Sequence, residues 1–149
     1  MKQIKFFLVA ILSGISSLAY CQDPKSFAGA TATLDSYKAL YFINQSEDIK
    51  IRAVIRNINN ALEDPRIKGK LSIEFVAFGN GVEMFRKSNH YDSLLLTLQK
   101  KGVILAECEN TIRERKINKD ELWDFISYVP SANGEIIIRG QQGWTIVHP

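Results

Sequence analysis

The sequence predicts an open α/β fold in which a mainly parallel sheet lies between layers of helices. Short apolar runs alternate with longer segments whose apolar residues recur every three or four positions, which is the pattern of strands alternating with amphipathic helices. The first run, residues 37–43 (YKALYFI), is almost continuously apolar, as in strands that are covered on both faces. This alternation is typical of βαβ units around a parallel sheet.

The N-terminus, residues 1–21, has the features of a secretory signal peptide. Lys2 and Lys5 precede an apolar run at 6–15, and small residues follow before Cys21. The run is shorter than the roughly 20 apolar residues that a membrane-spanning helix needs. We therefore expect an exported, periplasmic protein with no membrane span.

Two kinds of cleavage fit this N-terminus. We favour ordinary signal peptidase, which would cut before Gln22. The alternative is that residues 18–21 (LAYC) act as a lipobox and that Cys21 carries a lipid anchor, although Tyr20 is bulky for that motif. In both cases Cys21 is lost as a free thiol, and Cys108 is the only cysteine left.

Removal of the signal also removes most of the net charge. The full chain has 19 Lys and Arg against 16 Asp and Glu, a net charge of +3. Without Lys2 and Lys5 the balance is 17 against 16, or +1. No basic stripe stands out, so nothing indicates a nucleic-acid partner. A chain with one cysteine cannot form an intramolecular disulfide, so that thiol is either buried and inert or exposed and reactive.

Local signals set the remaining elements. The small and polar segment 22–35 predicts a linker or N-terminal arm, and 36–149 predicts one α/β domain. Asp64-Pro65 ends the first helix, and Asn118 with Glu121 forms a capping-box pair that opens the last one. The predicted strands are at 37–43, 71–78, 103–107, 136–138 and 144–147, and the predicted helices are at 48–63, 91–101, 109–116 and 118–129.

Cys108 is the candidate nucleophile. It lies between a buried strand and a helix, where backbone N–H groups and the helix dipole favour negative charge. Arg113 and Arg115 add positive potential, whereas Glu107 and Glu109 flank the thiol with negative charge. The structural alternative is that Cys108 is a small buried side chain with no chemical role.

Loops after the first two strands supply candidate ligand-binding residues. In open α/β sheets, ligands bind beyond the carboxyl ends of the strands. If strands one and three are neighbours, the loop at 44–46 lies beside Cys108. The glycine-rich loop at 79–81 allows close approach to an anion, but it lacks the dinucleotide and P-loop fingerprints, so a plain turn is the alternative. The candidate ligand-binding residues are Asn44, Gln45, Gly79, Asn80, Gly81, Asn110 and Thr111.

The two histidines, His90 and His148, are expected at the surface. A pair of Cys108 with either of them would resemble a thiol hydrolase, but no third orienting residue can be identified. One cysteine and two scattered histidines do not make a zinc site, and we expect no metal.

Three segments together resemble a known family. They are 106–118 (AECENTIRERKIN), 129–131 (VPS) and 135–149 (EIIIRGQQGWTIVHP). They resemble the DsrE/DsrF-like family and, more closely, its exported branch of small uncharacterised proteins. The resemblance implies a three-layer α/β sandwich around a mainly parallel five-stranded sheet with a flavodoxin-like strand order. It also implies a homo-oligomer, either a trimer or a hexamer.

The resemblance also implies a chemistry for Cys108. In sulfur-relay members, a cysteine after the third strand carries a persulfide from one protein to the next, and Cys108 followed by Arg115 and Ile117 occupies the matching position. This implies binding or transfer of sulfane sulfur with a donor or acceptor protein and without a cofactor. Those members act in the cytoplasm, whereas this chain is expected to be exported. Two alternatives remain open, namely a non-catalytic binding module with a buried Cys108, and a redox-responsive protein that forms an intermolecular disulfide through it.

Overall fold

The structure, a computed structural model, describes residues 26–149. The signal peptide expected at 1–21 lies outside the described residues. The chain divides into two units, Met1–Ala30 and Thr31–Pro149, and the α/β fold belongs to the second. The described residues of the first unit, 26–30, form no helix or strand. Within 26–149, no helix is long and apolar enough to cross a bilayer.

Five strands and four α-helices build the second unit, together with short 3-10 segments. The strands are β1 (Tyr37–Ile43), β2 (Leu71–Ala77), β3 (Ile104–Cys108), β4 (Ser127–Val129) and β5 (Thr145–Val147). The α-helices are α1 (Asp48–Glu63), α2 (Asp92–Lys100), α3 (Glu109–Arg115) and α4 (Ala132–Gln141). The 3-10 segments are Gly79–Phe85, Lys87–Asn89 and Lys119–Glu121.

The sheet is five-stranded and entirely parallel, with strand order β4-β3-β2-β1-β5. The predicted α/β class and the five-stranded sheet are therefore confirmed. The expected flavodoxin-like order, 2-1-3-4-5, is wrong, because each of the first four strands is laid beside its predecessor. Only β5 returns to the far side of β1. As a result β2 lies between β1 and β3, which are not neighbours.

The two faces of the sheet are covered unequally. The first face, which carries Tyr41, Phe75 and Leu105, packs against α1, α2 and the 3-10 segment Gly79–Phe85 in the larger core. The second face carries Leu40, Val76, Ala106 and Cys108, and it packs against α4 through Ala132 and Ile136. Because side chains alternate along a strand, successive residues of β3 belong to different cores.

An ion pair with a buried carboxylate connects α4 to the second face. Glu74, on β2, is 1% exposed, and its Oε2 accepts a hydrogen bond from Arg139 Nε at 2.7 Å. The same nitrogen lies 2.8 Å from Glu135, and the guanidinium stacks over Trp144 at 4.4 Å from the ring centre. Burial, and secondarily repulsion from Glu135, raises the pKa of Glu74, while Arg139 opposes that shift.

The helix predicted at 118–129 is wrong. Asn118 and Glu121 do form the expected capping box, but it opens a 3-10 segment of only three residues. The chain then extends, because Leu122 bridges to Arg86 and the Trp123 N–H donates to the Phe85 carbonyl at 3.1 Å. Long-range backbone pairing thus replaces the helix, and a turn at 124–125 then leads into β4.

The strand predicted at 136–138 is also wrong, since these residues lie inside α4. Ser131 caps the helix by accepting a hydrogen bond from the Gly134 N–H, and Glu135 pairs with Arg139 four residues later. Two parallel strands need a long crossover between them, and α4 provides it between β4 and β5. Of the three isoleucines, Ile136 packs against the second face, whereas Ile137 and Ile138 are exposed.

Candidate active site

Cys108 is the last residue of β3 and the N-cap residue of α3. Its side chain is on the second face, beneath α4, and the residue is 5% exposed. Cys108 therefore lies at the end of a buried strand, as the sequence predicts. The helix whose N–H contacts the sulfur is α4, whereas the sequence predicts that the helix following Cys108 does so.

The sulfur of Cys108 contacts the start of α4. The N–H of Ala132, the first residue of that helix, points to Sγ, with a nitrogen-to-sulfur distance of 3.3 Å. An N–H at the first turn of a helix has no partner within the helix and favours negative charge. Sequence reasoning missed this contact because 136–138 was interpreted as a strand. The available signal was the spacing of four between Glu135 and Arg139, which is typical of a helix.

A pocket of about 180 Å³ lies over the thiol. Its walls come from the end of β2, from α3 and from the start of α4, and most of its side chains are polar. The residues that line it are Phe78, Gly79, Cys108, Asn110, Thr111, Glu114, Ser131, Ala132 and Asn133. Three predicted ligand-binding residues, Gly79, Asn110 and Thr111, are thus gathered around Cys108, although their binding role stays a prediction.

Hydrogen bonds hold the wall of this pocket in place. The Gly79 N–H donates to Thr111 Oγ1 at 2.9 Å, and Gly79 has a φ of +56° that favours glycine. Asn110 Oδ1 accepts from Arg113 at 2.6 Å, and Asn80 Oδ1 accepts from Arg115 at 2.7 Å. Both arginines that were expected to influence the thiol are therefore bound to asparagine side chains.

Gly81 has a steric role. A Cβ at this position would lie 2.3 Å from the Ile43 carbonyl oxygen and 2.9 Å from its carbonyl carbon. No side chain fits there, so Gly81 allows the 3-10 segment to approach the end of β1. Its place in the loop at 79–81 is explained by packing, and it does not line the pocket over Cys108.

Asn44 and Gln45 do not line the pocket over Cys108, although the Asn44 carbonyl oxygen lies beside the pocket residue Gly79, and their binding role stays a prediction. Their proximity depended on β1 and β3 being neighbours, and that expectation is wrong because β2 separates them. Two strand spacings correspond to about 10 Å. Gln45 instead lines a smaller pocket, of about 100 Å³, at the ends of β1 and β5.

The sequence predicts that Glu107 and Glu109 both place negative charge next to the thiol. The structure differs from this prediction at both residues. Glu109 is half-exposed and pairs with Lys119 at 2.8 Å. Glu107 is on the opposite, first face, is fully buried, and has no hydrogen-bond partner for either carboxyl oxygen. Loss of solvation raises the pKa of Glu107 to about 9, so this group is neutral at pH 7.

Neither histidine lines the pocket over Cys108. His90 is exposed, and His148 follows β5 and stacks on Phe42 with ring centres 4.5 Å apart. Two strands, β1 and β2, separate β5 from β3. Among residues 26–149, no cluster of His, Cys, Asp or Glu could hold a metal ion.

Comparisons with other proteins agree with this architecture. The family model of the DsrE/DsrF-like family matches residues 28–149. The structure of MTH1491, a protein of unknown function from Methanobacterium thermoautotrophicum, is similar with a TM-score of 0.71 and 27% identity, covering 76% of this chain and 100% of that one. BT1422, a conserved protein of unknown function from Bacteroides thetaiotaomicron, has a TM-score of 0.55 and 11% identity, covering 81% and 100%, and is evidence for the fold alone. No curated protein matches the chain.

Proposed function

The chain belongs to the DsrE/DsrF-like family, and from this premise we propose that it is an exported protein that binds or transfers sulfane sulfur through Cys108. One observation carries the proposal. The Cys108 sulfur lines a polar pocket and accepts an N–H from the first residue of α4. Such a donor stabilises negative charge on sulfur, which is the form that attacks sulfane sulfur.

The proposed step is a thiol exchange reaction. The Cys108 thiolate attacks the terminal sulfur of a donor persulfide, R–S–SH. A new bond forms between the two sulfurs, the S–S bond of the donor breaks, and R–S⁻ leaves. Cys108 then carries the persulfide with its proton on the terminal sulfur. An acceptor thiolate repeats the attack, takes the terminal sulfur and releases Cys108 as a thiolate, so no metal or organic cofactor is needed.

The pocket has room for this chemistry. Its volume of about 180 Å³ exceeds one sulfur atom, and the side chains of Asn110 and Thr111 can contact the added group. The negative charge of Glu109 is paired with Lys119, and Glu107 is neutral on the other face. A negatively charged sulfur at Cys108 would therefore meet less electrostatic repulsion from these two glutamates than the sequence alone indicates.

We also propose that the protein is a homo-oligomer, either a trimer or a hexamer, as the family resemblance implies. Ile137 and Ile138, on the outer side of α4, are 65% and 52% exposed. Ile104 and Ile146, at the second face, are 44% and 37% exposed. Apolar side chains concentrated on one side of a domain favour association.

A sulfur-transfer assay tests the proposal. The mature protein would be incubated with a persulfide donor, and its intact mass would be measured before and after treatment with a reductant. We expect a reductant-sensitive gain of about 32 Da, one sulfur atom, in the wild type and none in Cys108→Ser. Equal labelling of both proteins would rule out the proposed role of Cys108.

The same mass measurement tests export. Protein isolated from its native compartment should begin at Gln22, and a lipid on Cys21 would support the lipobox alternative. An intact N-terminus with the expected signal peptide still attached would contradict export.

A second function is favoured by the burial of Cys108, which is only 5% exposed. In that case the protein is a non-catalytic module that binds a small ligand or a protein, and the cysteine is structural. This alternative predicts that iodoacetamide modifies Cys108 only after denaturation. Rapid modification of the native protein would exclude it.

A further inference from the structure

Helix α4 is held at two points that lie on the same face of the sheet. At its first residue, the Ala132 N–H meets Cys108 Sγ at 3.3 Å. At its eighth residue, Arg139 meets the buried carboxylate of Glu74 at 2.7 Å. The two points are about 10 Å apart along the helix. On β3, Ile104 pairs in register with Glu74. Ile104 and Cys108 are about 13 Å apart along this strand.

The apolar packing of α4 against the second face is sparse. Ala132 is buried and Ile136 is partly buried against the second face. Gly140 has no side chain, and the nearest atom that a methyl group there would meet is in Ile146, at 3.9 Å. Within the described residues, α4 is the α-helix of the second core, whereas α1 and α2 share the first. Because a hydrogen bond weakens steeply away from its preferred distance and angle, the contact between Arg139 and Glu74 restrains this part of α4 more strictly than the few apolar contacts do.

The Glu74 carboxylate and the Arg139 guanidinium are held in one mutual orientation. Glu74 is 1% exposed and cannot turn to solvent. Arg139 approaches it through Nε while the guanidinium lies over Trp144 at 4.4 Å. Glu135 contacts the same nitrogen at 2.8 Å. A guanidinium restrained on three sides leaves the helix little freedom to rotate or slide.

We propose that the Glu74–Arg139 pair is a positioning device for the sulfur site, which aims the first amide of α4 at Cys108. Arg139 acts on Cys108 through the helix and does not touch the sulfur or its substrate. The functional consequence of this inference rests on the proposed sulfur chemistry. The geometric part can be measured without any sulfur transfer.

The amide resonance of Ala132 in a proton–nitrogen NMR spectrum reports the contact. Cys108→Ala removes the acceptor and defines the resonance position without the N–H to sulfur bond. Arg139→Met should move the Ala132 resonance in the same direction, and Arg139→Lys should restore part of the original position. Arg56→Met, on the exposed side of α1, is the matched control and should leave the resonance in place.

A double variant separates positioning from stability. Replacing both members of a buried ion pair by apolar residues often restores stability. Glu74→Met with Arg139→Met should therefore recover the unfolding midpoint while the Ala132 resonance stays displaced. If the double variant restores both quantities, the pair has only a structural role and the inference is overturned.

A milder change keeps the test decisive if Arg139→Met does not fold. Glu74→Gln keeps the shape of the side chain but weakens the pair, and it should displace the Ala132 resonance by a smaller amount. In the sulfur assay, folded Arg139→Met should accept sulfur about tenfold more slowly than the wild type. An unchanged Ala132 resonance in a folded Arg139 or Glu74 variant overturns the inference, even if sulfur is transferred. Failure of the wild type to accept sulfur, with the resonance displaced in the variants, overturns only the proposed function.

Discussion

Glu107 and Cys108 are consecutive residues of β3, but they lie in different environments. Glu107 faces the first face, where two helices and a 3-10 segment cover the sheet, and both of its carboxyl oxygens lack a partner. Cys108 faces the second face, where its sulfur meets a helix N–H and lines a pocket. One step along the strand separates a carboxyl group that is kept neutral from a thiol whose sulfur accepts a backbone N–H. The difference comes from what each face packs against.

The same contrast applies to the two faces as a whole. The first face is tightly packed where the 3-10 segment Gly79–Phe85 meets the end of β1, because the Ile43 carbonyl excludes even a methyl group at position 81. The second face leaves a pocket over Cys108 and exposes Ile137 and Ile138. The larger core therefore lies on the first face, and the pocket over Cys108 lies on the second.

Gly81→Ala tests the packing of the first face, and it should have the largest destabilising effect. The new Cβ would lie 2.3 Å from the Ile43 carbonyl oxygen, so the backbone of β1 or of the 3-10 segment must move. We expect a loss of about 3 kcal/mol in the free energy of unfolding, measured by urea denaturation. A loss below about 0.5 kcal/mol, the ordinary range of surface changes, would mean that the first face is looser than its geometry indicates.

Glu107→Gln tests the neutral state of the buried carboxyl. The pKa of Glu107 is raised from 4.5 to about 9 in the folded protein, so folding retains a proton that the unfolded chain releases. The stability that this group contributes is complete below pH 4.5 and is lost as the pH rises towards 9. Each pH unit in that window costs about 1.4 kcal/mol, which amounts to about 3 kcal/mol between pH 5 and pH 7.

The measurement is the unfolding free energy of both proteins between pH 5 and pH 9. Glu107→Gln should unfold with a similar free energy near pH 5 and become progressively more stable than the wild type above it. Glu47→Gln, at an exposed glutamate before α1, should follow the wild type throughout. If Glu107→Gln shows the wild-type pH dependence, the carboxyl is not held neutral by burial.

Gly140→Ala tests the looser second face and should have the smallest effect, with the opposite sign. The nearest atom to the new methyl group is in Ile146, at an ordinary contact distance of 3.9 Å. Alanine favours the helix over glycine, so we expect a gain of about 0.5 kcal/mol in urea denaturation. A loss comparable to that of Gly81→Ala would show that the two faces are equally tight.

The elements that the sequence predicted well depend on local pattern. The strand at 37–43 and the helix at 48–63 have the expected bounds, because a continuous apolar run and a helical stripe each determine one conformation. The capping box at Asn118 is present, but the helix after it is absent. A cap favours the start of a helix, while pairing of Leu122 with Arg86 decides how far it continues.

The sequence by itself determined the α/β class, the place of Cys108 at the end of the third strand and the family to which the chain belongs. Only the tertiary structure decided that β2 separates β1 from β3, that Glu107 and Cys108 face different cores, and that α4 rather than α3 donates an N–H to the sulfur. Strand order and the contacts between faces arise from residues far apart in the chain, such as the 65 positions between Glu74 and Arg139. Local periodicity carries no information about such pairings, because it describes how one segment folds and not which segment it meets.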